Sequence, residues 1–105
     1  MTGTDTIEAL TSKQRAHLRS LAHNLKPILQ VGVDGVTDAV ADSVEEAFNT
    51  RELLKVKVLE NAPVDVDEAA AALAARIPNA HVPQTIGRVL VLYRPFPEDP
   101  EIRLP

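Results

Sequence analysis

The sequence lacks cysteine and tryptophan, and aromatic residues make up only 3% of its 105 positions. The absence of cysteine excludes disulfides, thiolate catalysis and cysteine-ligated zinc. The scarcity of rings disfavours recognition of single-stranded nucleic acid by a platform of stacked aromatic side chains. The core must be built mainly from Leu, Val, Ile and Ala, and a chain of this length is enough for one domain.

Long apolar segments are also missing. No run approaches the ~20 apolar residues that a membrane-spanning helix needs. The first ten residues, MTGTDTIEAL, do not combine a basic segment with an apolar one, as a secretory signal does. We therefore expect a cytoplasmic protein that does not associate with a membrane.

The charge is unevenly distributed along the chain. The net charge of −4 would, as an average, disfavour a nucleic-acid partner. From residue 11 to residue 35, however, basic residues dominate and Asp34 is the only acid, whereas residues 36–68 are mainly acidic. A local basic surface, rather than the total charge, decides whether a phosphate backbone can dock.

Three helices are predicted from their capping residues. Thr11 and Asp65 each precede a Gln or Glu by three positions, which is the spacing of a capping box, and Thr37 is positioned to cap the second helix. The first helix should end near residue 23 or 24, because Pro27 disfavours helical geometry at the residue before it. Its apolar face is predicted to comprise Leu18, Leu21, Ala22 and Leu25.

Four strands are predicted, at residues 28–31, 54–58, 82–86 and 89–93. Gly87 and Arg88 separate the last two, with glycine first, as a type II′ hairpin requires. Two strand-helix-strand units followed by a hairpin predict a mixed four-stranded sheet. The expected fold is one compact α/β domain of order α-β-α-β-α-β-β over residues 10–95, with flexible or extended tails at 1–9 and 96–105.

The segment Gly32-Val33-Asp34-Gly35 joins the first predicted strand to the second helix. Two glycines allow a ligand to approach the backbone closely, and the following helix N-terminus offers unpaired N–H groups to an anion. A GxxG loop of this kind clamps nucleic-acid backbones in KH domains. The same residues also suit an ordinary turn, so the motif alone leaves both interpretations open.

A basic stripe on the first helix favours the anion-binding interpretation. Arg15, Arg19 and His23 are successive i, i+4 neighbours, and Lys26 follows just before the strand that leads into the loop. A solvated polar face would explain the stripe equally well. Four further cations could be either structural or phosphate contacts: Lys55, Lys57, Arg88 and Arg94.

Catalytic chemistry is not indicated. The histidines lack the HxxxH or HExxH spacing of a metal site, and there is no nucleophile–base pair or Walker-type loop. The carboxylates of residues 38–46 have the spacing of a solvated helix face. Asp65, Asp67 and Glu68 could hold a magnesium ion, although helix capping explains them more simply. We predict no enzyme, no catalytic residue, no metal, no cofactor and no small-molecule substrate.

Five segments, in order over residues 10–95, match one known pattern: LTSKQRAHLR, AHNLKP, GVDGVT, ELLKVK and IGRVLVLYRP. Together they resemble the CRM domain family, in its stand-alone bacterial YhbY-like form. The resemblance implies a fold similar to the C-terminal domain of translation initiation factor three. It also implies RNA binding without catalysis, with ribosomal RNA or large-subunit precursors as the partner, by a protein that we expect to be a monomer.

The resemblance places the RNA-binding surface at the GxxG loop and its basic neighbours. The expected site residues are Gly32, Val33, Asp34, Gly35, Lys13, Arg15, Arg19, His23 and Lys26. Many family members have a neutral or basic residue inside the loop. The carboxylate of Asp34 should therefore weaken RNA binding unless it points away or pairs with Arg19 or Lys26.

Two other hypotheses remain open at this point. The chain could be a protein-interaction module that docks on basic ribosomal proteins through the acidic helix from Asp38 to Glu46. It could also be a magnesium-dependent enzyme, which would require the carboxylates of residues 65–68 to open into a pocket.

Overall fold

A computed structural model describes residues 9–105 of the chain. Its elements are α1 (Ser12–Ala22), β1 (Leu29–Val31), α2 (Asp38–Ala47), β2 (Leu53–Val58), α3 (Val66–Arg76), β3 (His81–Ile86) and β4 (Val89–Tyr93). The predicted α/β class, the order of elements and the mixed four-stranded sheet are confirmed. Except for residue 9, the predicted N-terminal tail lies outside the described residues.

The helices begin where the capping patterns predicted. Thr11 and Gln14 exchange two hydrogen bonds of 3.1 Å between side chain and backbone. Asp65 and Glu68 form the same reciprocal pair at 2.8 and 2.9 Å, and Thr37 accepts one bond from the first turn of α2. These bonds satisfy backbone N–H groups that a helix leaves unpaired at its start.

The sheet has the order β1-β2-β4-β3. β1 and β2 are parallel and are connected through α2, whereas β4 is antiparallel to both of its neighbours. The turn at Gly87-Arg88 closes the β3–β4 hairpin, and Gly87 has a φ of 59°. A positive φ at the first turn residue is what makes glycine favourable there.

Helices cover the two faces of the sheet unequally. α2 and α3 pack on one face, where the main buried cluster includes Val44, Leu73 and Leu90. α1 packs on the other face, in a smaller cluster that includes Leu18 and Tyr93. The larger cluster contains most of the buried side chains, and on the α1 face Lys57 and Ile86 remain exposed.

The apolar face predicted for α1 is only partly correct. Leu18 and Ala22 are fully buried, but Leu21 and Leu25 are 43% and 39% exposed. α1 is the one helix that packs on its face of the sheet among residues 9–105. Only side chains that point directly at the strands are therefore covered, and Leu25 already lies beyond the end of the helix.

The C-terminal strap, residues 96–105, contains no helix or strand but is attached to the domain. Glu52, which is 3% exposed, accepts hydrogen bonds from the backbone N–H groups of Phe96 at 2.6 Å, Glu101 at 3.0 Å and Ile102 at 2.7 Å. Ile102 and Leu104 pack against the cluster beneath α1. A single buried carboxylate thus holds the strap across the end of the sheet.

Candidate nucleic-acid interface

The uncovered half of the sheet lies next to the C-terminal half of α1. Leu53 on β2, together with Tyr93 on β4, lies beneath α1. Because side chains alternate along a strand, Lys55 and Lys57 point to the same face as Leu53. Ile86 belongs to the same row as Lys57 through the β4 pairing and is 59% exposed. This part of the face is therefore open and carries positive charge.

A cationic groove runs between α1 and strands β2 and β3. Its lining consists of Ala16, Arg19, Ser20, His23, Lys55, Gln84 and Ile86. Arg19 and His23 come from the predicted basic stripe, and Lys55 comes from the sheet. Three basic side chains from two elements, α1 and β2, thus line one groove together with an amide, a hydroxyl and two apolar side chains.

Lys55 also has a structural contact in the groove. Its Nζ donates a hydrogen bond to the Leu25 carbonyl at 3.0 Å, and its own carbonyl accepts from the Ile28 N–H at 3.0 Å. These bonds attach the segment after α1 to the sheet. Because an ammonium group has three protons, the contact with Leu25 leaves two of them for a ligand.

The other predicted cations of α1 lie in different surroundings. Arg15 is half-buried, and its Nη1 donates to the Leu10 carbonyl at 2.9 Å, so part of its role is to fix the start of α1. Lys13 is exposed and lies about 120° around the helix from Arg19. Lys26 is exposed in the connection to β1 and does not line the groove.

The GxxG loop is a tight turn at the end of β1. The Gly35 N–H donates to the Gly32 carbonyl at 2.9 Å, which leaves Val33, 65% exposed, at the tip with Asp34. Gly35 is buried and has a φ of 74°. A Cβ at this position would lie 3.2 Å from Pro63 Cγ, so glycine is required here by the turn itself.

Two carboxylates, Asp34 and Asp38, lie between the start of the loop and the first turn of α2. Asp34 takes part in neither of the ion pairs found among residues 9–105, so it is not neutralised by Arg19 or Lys26. Asp38, in the first turn of α2, pairs with Arg76 at 2.6 Å. Carboxylates near a helix N-terminus satisfy its positive potential. These carboxylates make the loop less favourable for an anion than the groove, whose lining contains no carboxylate.

The loop and the groove are nevertheless connected along one face. The Leu59 N–H donates to the Val31 carbonyl at 2.9 Å, immediately before Gly32, and the Val58 N–H donates to the Arg88 carbonyl at 2.7 Å. The loop and the hairpin turn therefore lie at the same end of the sheet, just beyond the row of Lys57. Positive charge extends from the groove through Lys57 to this end.

A group of acidic residues lies on the opposite side of the sheet. α2, with exposed carboxylates at Asp38, Asp42, Glu45 and Glu46, packs on the sheet face that is turned away from α1. The exposed carboxylates of α2 and the cationic groove are thus on different faces of the sheet.

The two glycines of the loop give a matched test of its construction. Gly35→Ala should reduce the free energy of unfolding by about 1–3 kcal/mol, because a non-glycine residue is strained at positive φ and its Cβ would be only 3.2 Å from Pro63. Gly32→Ala should cost less than about 1 kcal/mol, since its Cβ would meet Leu59 at an ordinary 3.8 Å. Urea unfolding of both variants measures the difference. Equal costs would contradict this account of the turn.

Residues 65–68, which could have held a magnesium ion, have structural roles instead. Residues 9–105 contain no cluster of three or more His, Cys, Asp or Glu side chains suited to a metal ion. Asp65 and Glu68 are engaged in capping, as the simpler interpretation predicted, and Asp67 accepts a hydrogen bond from Thr85 Oγ1 at 3.0 Å. None of the helices in this part of the chain is long and apolar enough to span a bilayer.

The fold and the groove define a small α/β domain with one cationic sheet face, and comparison with known proteins identifies its family. The model of the CRS1 / YhbY (CRM) domain matches residues 10–94. The "Probable RNA-binding protein YqeI" of Bacillus subtilis is 45% identical over 96 residues, covering 91% of this chain and 99% of that protein. An "RNA-binding protein" of Haemophilus influenzae is 41% identical, with coverages of 91% and 95%.

A solved structure agrees with these relatives. The solution structure of the hypothetical protein SAV1595 from Staphylococcus aureus matches with a TM-score of 0.77 and 41% identity, covering 91% of this chain and 99% of that one. The chain belongs to the CRS1 / YhbY (CRM) domain family, which confirms the resemblance found in the sequence.

Proposed function

We propose that this protein binds RNA through its cationic groove and associates with ribosomal RNA or large-subunit precursors during ribosome assembly. The names of its relatives support RNA as the partner. The family resemblance found in the sequence suggests the ribosomal context. The role is that of a binding factor, because RNA would be held by charge and shape and no group in the groove has a catalytic partner.

The observation that carries the proposal is the meeting of Arg19, His23 and Lys55 in one groove. A guanidinium group binds phosphate oxygens through paired hydrogen bonds, and an ammonium group acts as a point charge. Lys57 and Arg88 continue the positive surface towards the GxxG loop. An RNA backbone lying along this band would meet several cations in succession.

The GxxG loop provides a secondary contact in this scheme. Exposed backbone around Val33 and Asp34 can approach a phosphate where the band ends, but the carboxylate of Asp34 opposes the approach. Arg15 supports the helix, while Lys13 and Lys26 add general positive charge outside the groove. The groove thus supplies most of the electrostatic attraction for RNA, and the loop restricts which shapes of the RNA backbone can bind.

The acidic surface of α2 supports a second candidate function, that of a module that docks on basic ribosomal proteins. It is favoured by the exposed carboxylates of α2, from Asp38 to Glu46, on the side away from the groove. Complexes captured from cells and treated with nuclease separate the two. Partners lost on complete RNA digestion favour the groove, and partners that survive it favour α2.

The phosphate-binding mechanism predicts a strong dependence on salt. With about three to five phosphate contacts, the logarithm of the association constant should fall against the logarithm of salt concentration with a slope of roughly −2 to −5. Fluorescence anisotropy with a labelled ribosomal RNA fragment, between 50 and 300 mM KCl, measures it. A slope near zero would rule out the mechanism.

A further inference from the structure

A second concave site lies at the other end of the α1 face, beneath the C-terminal strap. It is an open cavity of about 420 Å³ between the strap and the ends of β3 and β4. This volume is within the range of pockets that bind small ligands. The strap contributes Phe96, prolines and the apolar side chains of Ile102 and Leu104, and the sheet contributes His81 and Tyr93.

The lining combines rings with hydrogen-bonding groups. His81 and Tyr93 lie with ring centroids 6.2 Å apart, and Phe96 adds a third ring, so two of the three Phe and Tyr residues of the chain line this one cavity. Burial lowers the pKa of His81, which leaves the imidazole neutral at pH 7 with one donor and one acceptor. Asn79 adds an amide.

Arg94 lines the cavity, but its guanidinium group lies against α2, 3.6 Å from the Glu45 carboxylate and over the Phe48 ring at 5.9 Å. Among residues 9–105, Nη1 is buried without a hydrogen-bond acceptor, and neither Glu45 nor Phe48 lines the cavity, so this group is not presented to a ligand there. Side chains of these described residues contribute no carboxylate to the lining. A flat ligand with acceptor oxygens or nitrogens suits such a site better than a cation does.

The cavity adjoins the cationic groove along strand β3. Gln84 lines the groove and His81 lines the cavity. A β-bulge lies between the two residues, and their partners on β4, Tyr93 and Val91, are two positions apart, or about 7 Å at 3.3 Å per residue. A few linked nucleotides span this distance, so one RNA strand can reach both sites beside the edge of the sheet.

We propose that the strap cavity receives one unpaired nucleobase of the RNA whose phosphates lie in the cationic groove. The inference rests on the proposed function and specifies its substrate as structured RNA with a bulged or looped-out nucleotide. Phe96 and His81 contact the base through their rings, and the side-chain amide of Asn79 donates to an acceptor on its edge. RNA-binding proteins read unstacked bases in this way, by ring contacts and edge hydrogen bonds.

Two RNA hairpins that differ by a single bulged nucleotide test the proposal. The wild-type protein should bind the bulged hairpin about tenfold more tightly than the fully paired one, since contact of one base with an aromatic side chain is typically worth about 5- to 150-fold in affinity. Phe96→Leu removes the ring but keeps apolar volume and the backbone N–H that Glu52 holds. This variant should lose the preference and keep its affinity for the paired hairpin. An unchanged preference would overturn the proposal.

Titration with each nucleoside 5′-monophosphate, followed by ¹H–¹⁵N NMR, tests the cavity separately from the groove. Shifts should cluster at residues 79–81 and 93–97, persist in Arg19→Gln and disappear in Phe96→Leu. Shifts confined to the groove, or no shifts at millimolar nucleotide, would overturn the proposal. Should both hairpins fail to bind while nucleotides still bind in the cavity, the proposed function fails and the cavity remains a nucleotide site.

Discussion

Replacing Glu52 with alanine should lower the free energy of unfolding by about 2–4 kcal/mol, because each buried donor left unpaired costs about 1–3 kcal/mol. The carboxylate is buried and accepts three backbone N–H groups of the strap. Without it, either the donors stay buried and unpaired or the strap detaches and exposes Ile102 and Leu104. For a domain of this size the melting temperature should fall by roughly 10–25 °C.

The hydrogen bonds from the strap to Glu52 form a clasp, and matched variants separate its contribution to stability from a general effect of removing a negative charge. Glu98→Ala removes an exposed carboxylate from the same strap and should change stability by less than about 0.5 kcal/mol. Glu52→Gln keeps one acceptor oxygen and should have an intermediate cost. Thermal and urea unfolding, followed by circular dichroism, measure all three.

A double-mutant cycle tests whether Glu52 acts through the strap. In a chain ending at residue 95 the three N–H donors are gone, so Glu52→Ala should cost less than about 1 kcal/mol there. The difference between the full-length and shortened chains is the coupling energy of the clasp. The same cost in both would mean that Glu52 stabilises the domain by some other contact, and the clasp hypothesis would be wrong.

The elements could be predicted because their signals are local. Thr11, Thr37 and Asp65 satisfy N–H groups within a few residues of themselves, so capping chemistry alone locates the start of each helix. Alternation from Leu54 to Val58 and the glycine at position 87 similarly fix a strand and a turn. The pairing of the strands then follows from the short connections between helices and strands, because these allow few sheet topologies.

The contacts that were missed depend on residues distant in the sequence. Glu52 meets its partners 44 to 50 positions further along the chain, and no pattern around it distinguishes it from a surface carboxylate. The proline-rich composition of residues 96–105 indicates an absence of helices and strands, but it carries no information about what the strap touches. Exposure of Leu21 likewise reflects a missing neighbour on that face, which a helical periodicity cannot report.

The sequence predicted that the candidate site contains basic residues, but not which of the basic residues line the groove. Helical spacing correctly linked Arg19 with His23, yet it could not separate them from Arg15, which bonds to a backbone carbonyl. Lys55 joins the groove only because β2 lies beneath the end of α1. Alternation predicted that its side chain lies on one face of the strand, and tertiary packing decided that this face is beside the basic stripe.

The location of charge, rather than its amount, should determine RNA affinity. Arg19→Glu and Lys13→Glu change the net charge equally and lie on the same helix, but only Arg19 lines the groove. We expect Arg19→Glu to weaken RNA binding by about 10- to 100-fold at 100 mM salt, since a phosphate contact is replaced by a repulsion. Lys13→Glu should weaken it by less than about threefold. Anisotropy titrations with one RNA fragment measure both.

The two variants should differ in stability, so their affinities must be compared at a temperature at which both are folded. A glutamate in the last turn of α1 is unfavourable for the helix dipole by about 0.3–1 kcal/mol, whereas one in the first turn is favourable by a similar amount. Binding is therefore measured well below the lower of the two melting temperatures. The salt slope should become shallower by about 0.7 to 0.9 for Arg19→Glu, which is the contribution of one phosphate contact. Equal losses of affinity would mean that RNA responds only to the net charge, and the groove would no longer be the binding site.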